Sequence, residues 1–136
     1  MVKGVLPMST AQNKAVVQRW FDAINKKNVL ACERVADETY APDFILHDPG
    51  FPKSPDAKPG PAGAKEFVRQ LISHSPDVHL TIDDMIAEGD KVVFRFTVHS
   101  TDATTGRPLS LLVMSIVRFV GSQFAEEWEL GVPGEW

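Results

Sequence analysis

The stretch VHLTIDDMIAEGDKVVFRFTVHS, residues 78–100, decides how this chain folds. Val78, Leu80 and Ile82 alternate with His79, Thr81 and Asp83. That period of two sends successive side chains to opposite faces of a strand. Asp83-Asp84 then breaks the alternation ahead of Met85-Ile-Ala, as a bulge would. Gly89-Asp90 is a turn signal, and beyond it Val92, Phe94, Phe96 and Val98 share one face again. A polar loop with Gly106-Arg-Pro leads to a near-continuous apolar strand over Leu109–Val120. Gly121-Ser122 turns the chain into a last strand, Phe124–Val132. Residues 78–132 therefore read as four antiparallel strands of one sheet.

Upstream the period changes. Ser9 followed by Gln12 reads as a capping box, and Val16, Val17, Trp20, Phe21 and Ile24 recur at helical spacing after it. The spacing predicts a helix over roughly 10–27. Lys26-Lys27-Asn28 suits its end, and Asn28 caps a second short helix reaching Val35. Tyr40–Pro49 reads as a short strand between prolines. Residues 49–61 hold Pro49, Pro52, Pro55, Pro59 and Pro61, so a loop is expected, long enough for a lid or rim. Gly60-Pro61 then opens a third helix to about residue 74 with Ala64, Phe67, Val68, Leu71 and Ile72 as its apolar stripe. Three helices, one short strand among them, then four long strands make an α+β domain over 9–132, with terminal tails at 1–8 and 133–136.

Composition narrows the function classes. Fourteen Lys and Arg against eighteen Asp and Glu give a net charge of −4, with no basic cluster, so a nucleic-acid or anionic-membrane footprint is missing. The single Cys32 has no partner for an internal disulfide, and no Cys/His spacing suits structural zinc. No secretory leader or long apolar run is apparent, and the expectation is a cytoplasmic protein.

The order helix, helix, Tyr40-Ala-Pro-Asp, a short strand ending in His47-Asp-Pro, Gly60–Phe67, Ala87–Arg95 and Ser115–Leu130 resembles the nuclear transport factor 2-like superfamily. Within it the chain is most similar to the SnoaL-like polyketide cyclase and ketosteroid isomerase-like branches, over about residues 11–132. The resemblance implies a cystatin-like cone: a strongly bent antiparallel sheet wrapped around the three helices, with a pocket at one end. It also implies a homodimer on the sheet's outer face, where Leu112, Met114 and Ile116 are expected to form an apolar patch.

The same resemblance implies cofactor-free acid–base chemistry with no metal. Its general base falls on Asp48. The residues agree that far, because Phe44, Leu46 and Asp48 lie on one strand face, and a carboxylate at an apolar mouth becomes a better base as burial raises its pKa. The alternative is an Asx-type cap of the following turn. Oxyanion donors fall on Trp20 and Ser115 by the same resemblance. Trp20 also fits plain helix core, and Ser115, alone in an apolar strand, needs either a backbone partner or a ligand. The acidic residue that SnoaL-like cyclases carry near the last strand's end falls on Val132. Glu126 is the candidate replacement, since Phe124, Glu126, Trp128 and Leu130 alternate onto one face; Glu127 and Glu129 are then solvated or at a dimer edge. Arg95 reads as a salt-bridge or interface residue. His47, His74, His79 and His99 do not assemble a metal site.

The expected ligand-binding lining is Trp20, Leu46, Phe67, Val92, Phe94, Val113 and Trp128. Asp48, Ser115 and Glu126 would be the catalytic groups. Such a pocket suits a hydrophobic, carbonyl-bearing small molecule, either turned over by aldol cyclisation or isomerisation, or held without turnover.

Overall fold

A computed structural model describes residues 8–50 and 58–136. Residues 51–57, the middle of the proline-rich loop, lie outside the described residues, as do 1–7. The elements are α1 (Thr10–Asn25), α2 (Val29–Thr39), β1 (Tyr40–His47), α3 (Gly60–His74), β2 (His79–Glu88), β3 (Lys91–Thr101), β4 (Pro108–Val120) and β5 (Gln123–Pro133).

Local chemistry explains the helix starts. The Gln12 backbone N–H donates to Ser9 Oγ at 3.1 Å, while the Ser9 N–H donates to Gln12 Oε1 at 2.8 Å, a complete capping box. Asn28 accepts from the Ala31 N–H at 3.1 Å and starts α2. α2 runs beyond Val35 to Thr39, because Ala36–Thr39 contain no breaker and the Tyr40 N–H still donates to Ala36. α3 begins at Gly60 with φ of +61°. A Cβ there would sit 2.7 Å from the Pro42 carbonyl oxygen, so only glycine lets the helix start this close to β1.

The strand order is β1-β5-β4-β3-β2. The four long strands pair antiparallel, as their turns require, and β1 joins β5 in parallel, so the sheet is mixed and open. β1 reaches β5 by a long crossover rather than a hairpin, which permits the parallel pairing. Ile82 pairs with Phe96 and Asp84 with Arg95, leaving Asp83 as the extra residue of the expected bulge. Beyond it Met85 and Ala87 take over the inward positions from Leu80 and Ile82.

The helices lie on the concave face. Phe21 of α1 meets Phe94 and Phe96 edge-on, with ring centres 5.6 and 4.8 Å away. Asn25 ties the end of α1 to β2, donating to the Leu80 carbonyl and accepting its N–H, both at 2.8 Å. Val17, Ile24, Val68, Val92 and Val117 are fully buried in this core. Phe67 is not: it is 58% exposed, because Val68 takes the buried position of α3 and the turn of the helix carries Phe67 off the stripe.

On the convex face, Ile86, Val93, Ile116, Trp128 and His47 are successive direct partners across all five strands. Met114 and Leu130 extend this row as a second apolar pair. Leu112, expected to be exposed here, is buried. The C-terminal segment crosses beside it, the Gly134 N–H donating to the Ser110 carbonyl at 3.1 Å. The segment ends with the Trp136 indole donating to Asp83 Oδ2 at 3.1 Å and the Arg95 guanidinium 5.0 Å from the ring centre, so 133–136 is not a free tail. Among the described residues no helix is long and apolar enough to cross a membrane.

Candidate functional site

One extra residue in β5 decides what the cone contains. Phe119 pairs with Phe124, but Arg118 pairs with Glu126, so Ala125 stands as a bulge between them. A single inserted residue exchanges the faces of everything after it. Glu127 consequently stands opposite Val117, Glu129 opposite Ser115 and Gly131 opposite Val113. Val113, Ser115 and Val117 are buried on the concave side, so both glutamates point inward.

The sequence expectation for this strand is overturned. Glu126 lies on the convex face, where its carboxylate meets His47 Nε2 at 2.8 Å and Arg118 Nη2 at 3.2 Å. Those contacts, the His47 hydrogen bond foremost, hold its carboxyl below the usual carboxylate range against a smaller opposing effect of burial. Trp128 is on the same outer face, stacked on His47 with ring centres 5.4 Å apart. Val132, at the place of the family's cyclase acid, is exposed on that side as well.

Asp48 follows the expected alternation. Phe44, Leu46 and Asp48 are partly buried, while Ile45 and His47 face out. Asp48 lies beside Glu129, level with it past the parallel β1–β5 register, and its Oδ1 accepts the Gly50 N–H at 3.1 Å. Both readings of this residue thus have a structural counterpart: it caps the turn and it faces the interior. Ser115, 1% exposed, donates to Glu127 Oε2 at 2.5 Å, so its partner is a side chain rather than a backbone group.

Burial pushes the Glu127 carboxyl up to about 7, with the Ser115 hydrogen bond pulling down and the Asp48 charge pushing further up. Burial pushes Glu129 up to about 9, helped by the Glu127 charge and by the Asp48 carboxyl beside it. A carboxyl that keeps its proton at neutral pH is a donor as well as an acid.

Tyr40, first residue of β1, belongs to this cluster and is absent from the sequence-derived site. It is buried, and burial plus the charges of Glu127 and Glu129 hold its phenol well above the usual range. Its ring packs edge-on against Trp20, Phe44 and Phe124 at 4.8–5.4 Å between centres. The only signal in the sequence is that Tyr40 is the chain's single tyrosine, at a helix–strand junction. Trp20 therefore meets this cluster only through its edge-on packing against the Tyr40 ring.

Of the other expected lining residues, Leu46 faces inward partly buried, and Val92, Phe94 and Val113 are packed core residues beneath the carboxyls. Phe94 is the direct partner of Ser115, and Val92 of Val117. Cavities of about 350 Å³ between α1 and α2, and about 120 Å³ beside Asn13, touch none of these acidic residues. His79 and His99 are cross-strand partners, but among the described residues no three His, Cys, Asp or Glu converge as a metal ion would require.

Solved structures share this architecture. A candidate polyketide cyclase from Acidithiobacillus ferrooxidans is 25% identical, with 91% of each chain covered and a TM-score of 0.72. IdmH, a candidate polyketide cyclase from Streptomyces antibioticus, is 22% identical over 88% of this chain and 91% of its own, with a TM-score of 0.74. TsrD from Streptomyces laurentii is 24% identical over 91% and 90%, also with a TM-score of 0.74. No curated protein matches the chain in sequence. The cone is the nuclear transport factor 2-like fold, and the SnoaL-like domain profile matches residues 17–127. The chain belongs to the SnoaL-like domain family.

Proposed function

We propose that this protein performs cofactor-free acid–base chemistry on a hydrophobic, carbonyl-bearing small molecule inside the cone. The observation that carries this reading is the approach of Asp48, just past the end of β1, to Glu129 of β5 in the interior, where burial and acidic neighbours make Glu129 hold its proton beside a carboxyl that can accept one. Asp48 removes a proton from the carbon next to the carbonyl, and the C–H electron pair moves onto oxygen as an enolate. Glu129 and Tyr40 offer O–H donors to that oxygen, the preorganised stabilisation such a step needs. The enolate carbon then attacks a second carbonyl of the same molecule, and the proton held by Asp48 passes to the new alkoxide. In the isomerisation variant, the proton returns to the far carbon of the conjugated system. Family membership and the candidate cyclases that share the fold support the ring-closing variant.

A second reading is a binding protein with the same interior. It is favoured by the Asp48–Gly50 cap and by the Ser115 hydroxyl, which is already committed to Glu127. Solvent-deuterium exchange separates the two. Cyclic ketones and poly-β-keto esters incubated with the enzyme in deuterated buffer should lose α-protons faster than in buffer alone. Tight binding without exchange would support the binder and overturn the enzyme.

The assembly we propose is a homodimer through the convex row of Val93, Ile116 and Trp128, flanked by Met114 and Leu130, which is large and apolar for a monomer surface. The buried free thiol of Cys32 suits a reducing cytoplasm.

A further inference from the structure

The end of β1 is clamped on the convex face, on the side away from the interior acids. β1 is an edge strand whose only strand partner is β5. Its register is interrupted after Tyr40 and resumes with Ile45 opposite Glu126, Leu46 opposite Glu127 and His47 opposite Trp128. His47 is the last residue of that run and of the strand. Its ring is fixed from two sides. Nε2 meets Glu126 Oε2 at 2.8 Å, and the ring lies over Trp128 with centres 5.4 Å apart and planes at 15°. The other oxygen of the same carboxylate accepts Arg118 Nη2 at 3.2 Å and Nε at 3.3 Å. Glu126 thus joins β1, β5 and β4, and its hydrogen bonds to a planar guanidinium fix direction as well as distance.

Asp48 is the next residue. Consecutive Cα atoms are about 3.8 Å apart, and successive side chains leave a strand on opposite faces. Whatever fixes His47 outward therefore fixes the direction in which Asp48 leaves inward. Past His47 no described strand pair carries Asp48, and its hydrogen bond to the Gly50 N–H is local to the turn. Three backbone partners and the His47 clamp are what hold it level with Glu129.

We infer that His47 is a positioning residue: clamped between Glu126 and Trp128 outside the cone, it holds the end of β1 so that Asp48 meets the substrate beside Glu129 inside. This rests on the reading above, in which Asp48 takes the proton. The His47 side chain faces out and touches none of the interior acids, so it acts only through the backbone it shares with Asp48. A general base works within hydrogen-bond reach of the proton it removes, and a misplacement of about 1 Å can cost roughly 10²-fold in rate.

The test compares wild type with His47→Leu and His47→Gln. Leucine keeps bulk at this exposed position but offers Glu126 no donor, whereas glutamine keeps an N–H. With 2-tetralone in deuterated buffer, His47→Leu should lower the saturating rate of α-proton exchange by roughly 10–10²-fold, with KM within about twofold. His47→Gln should recover most of that loss. In an Asp48→Asn background His47→Leu should cost nothing further, because no base remains to be placed; a purely structural role would add its loss. A second readout needs no turnover. The Asp48 charge is one of the causes that raise Glu129, so carbon-13 NMR of labelled glutamate should show Glu129 titrating lower in His47→Leu and returning towards wild type in His47→Gln. If His47→Leu does not fold, Glu126→Ala opens the same clamp from β5 and takes its place in every arm. An undiminished exchange rate with an unmoved Glu129 titration would overturn the inference, as would additive losses in the Asp48→Asn background. Absence of exchange by wild type would instead overturn the functional reading, and the Glu129 titration alone would then decide whether His47 places Asp48.

Discussion

Ser115 and Glu127 are hydrogen-bonded diagonally across β4 and β5, hydroxyl to carboxylate at 2.5 Å, although the residue directly opposite Ser115 is Glu129. The diagonal reach lets one hydroxyl hold Glu127 while Glu129 turns to Asp48. Two neighbouring glutamates on one strand face thereby acquire different partners and different proton affinities, up to about 7 and about 9.

Replacing that hydroxyl tests the division. Ser115→Ala removes the contact that lowers the Glu127 pKa, and hydrogen bonds to charged groups contribute about 1.5–3 kcal/mol. The Glu127 carboxyl should therefore titrate roughly one unit or more higher, read by carbon-13 NMR of labelled glutamate. An unchanged titration would mean that Ser115 does not hold Glu127 in solution.

Stability should fall as pH rises above the ordinary carboxylate range. An acid whose folded pKa lies above its unfolded value contributes stability that is complete below the unfolded value and is lost as pH climbs through the folded one. For Glu127 and Glu129 that window runs from 4.5 to about 7 and about 9. Asp77, Asp102 and Glu126 are shifted downward, so their contributions are lost only in acid. Melting temperature should decline from pH 5 to pH 9 in thermal scans, and Glu129→Gln should flatten the decline above pH 7. A melting temperature that rises across this range would count against both raised carboxyls.

Asp48→Asn removes the proton acceptor while its side-chain oxygen still accepts the Gly50 N–H. Exchange or turnover should drop by roughly 10²–10⁴-fold, with ligand affinity nearly unchanged. Stability should change by no more than about 1 kcal/mol, since the turn cap survives. Unaltered turnover would remove Asp48 from the chemistry.

The convex apolar row makes a prediction about mass. Light scattering at micromolar concentration should report twice the chain mass, and Ile116→Lys, at the centre of the row, should give a monomer with an intact fold. A wild-type monomer would leave the row without the proposed partner.

How much of this was legible in the chain depends on where polarity breaks a pattern. The hairpin of β2 and β3, the capping box at Ser9 and the bulge at Asp83 were readable, because two consecutive aspartates cannot both continue an apolar-inward alternation. The inward face of Asp48 was readable for the same reason, from Phe44 and Leu46 before it. β5 was not. Phe124-Ala-Glu-Glu-Trp-Glu-Leu shows no break, because Ala125 fits either face and Trp128 and Leu130 look like core residues. Alternation identifies the inward side only when the other side is polar, and the outer face here carries Ile116, Met114 and Trp128. Residue order alone therefore determined the helices, the four long strands and their turns. The pairing of β4 with β5, which leaves Ala125 unpaired, decided which glutamates enter the cone, since one residue of register exchanges every side chain beyond it.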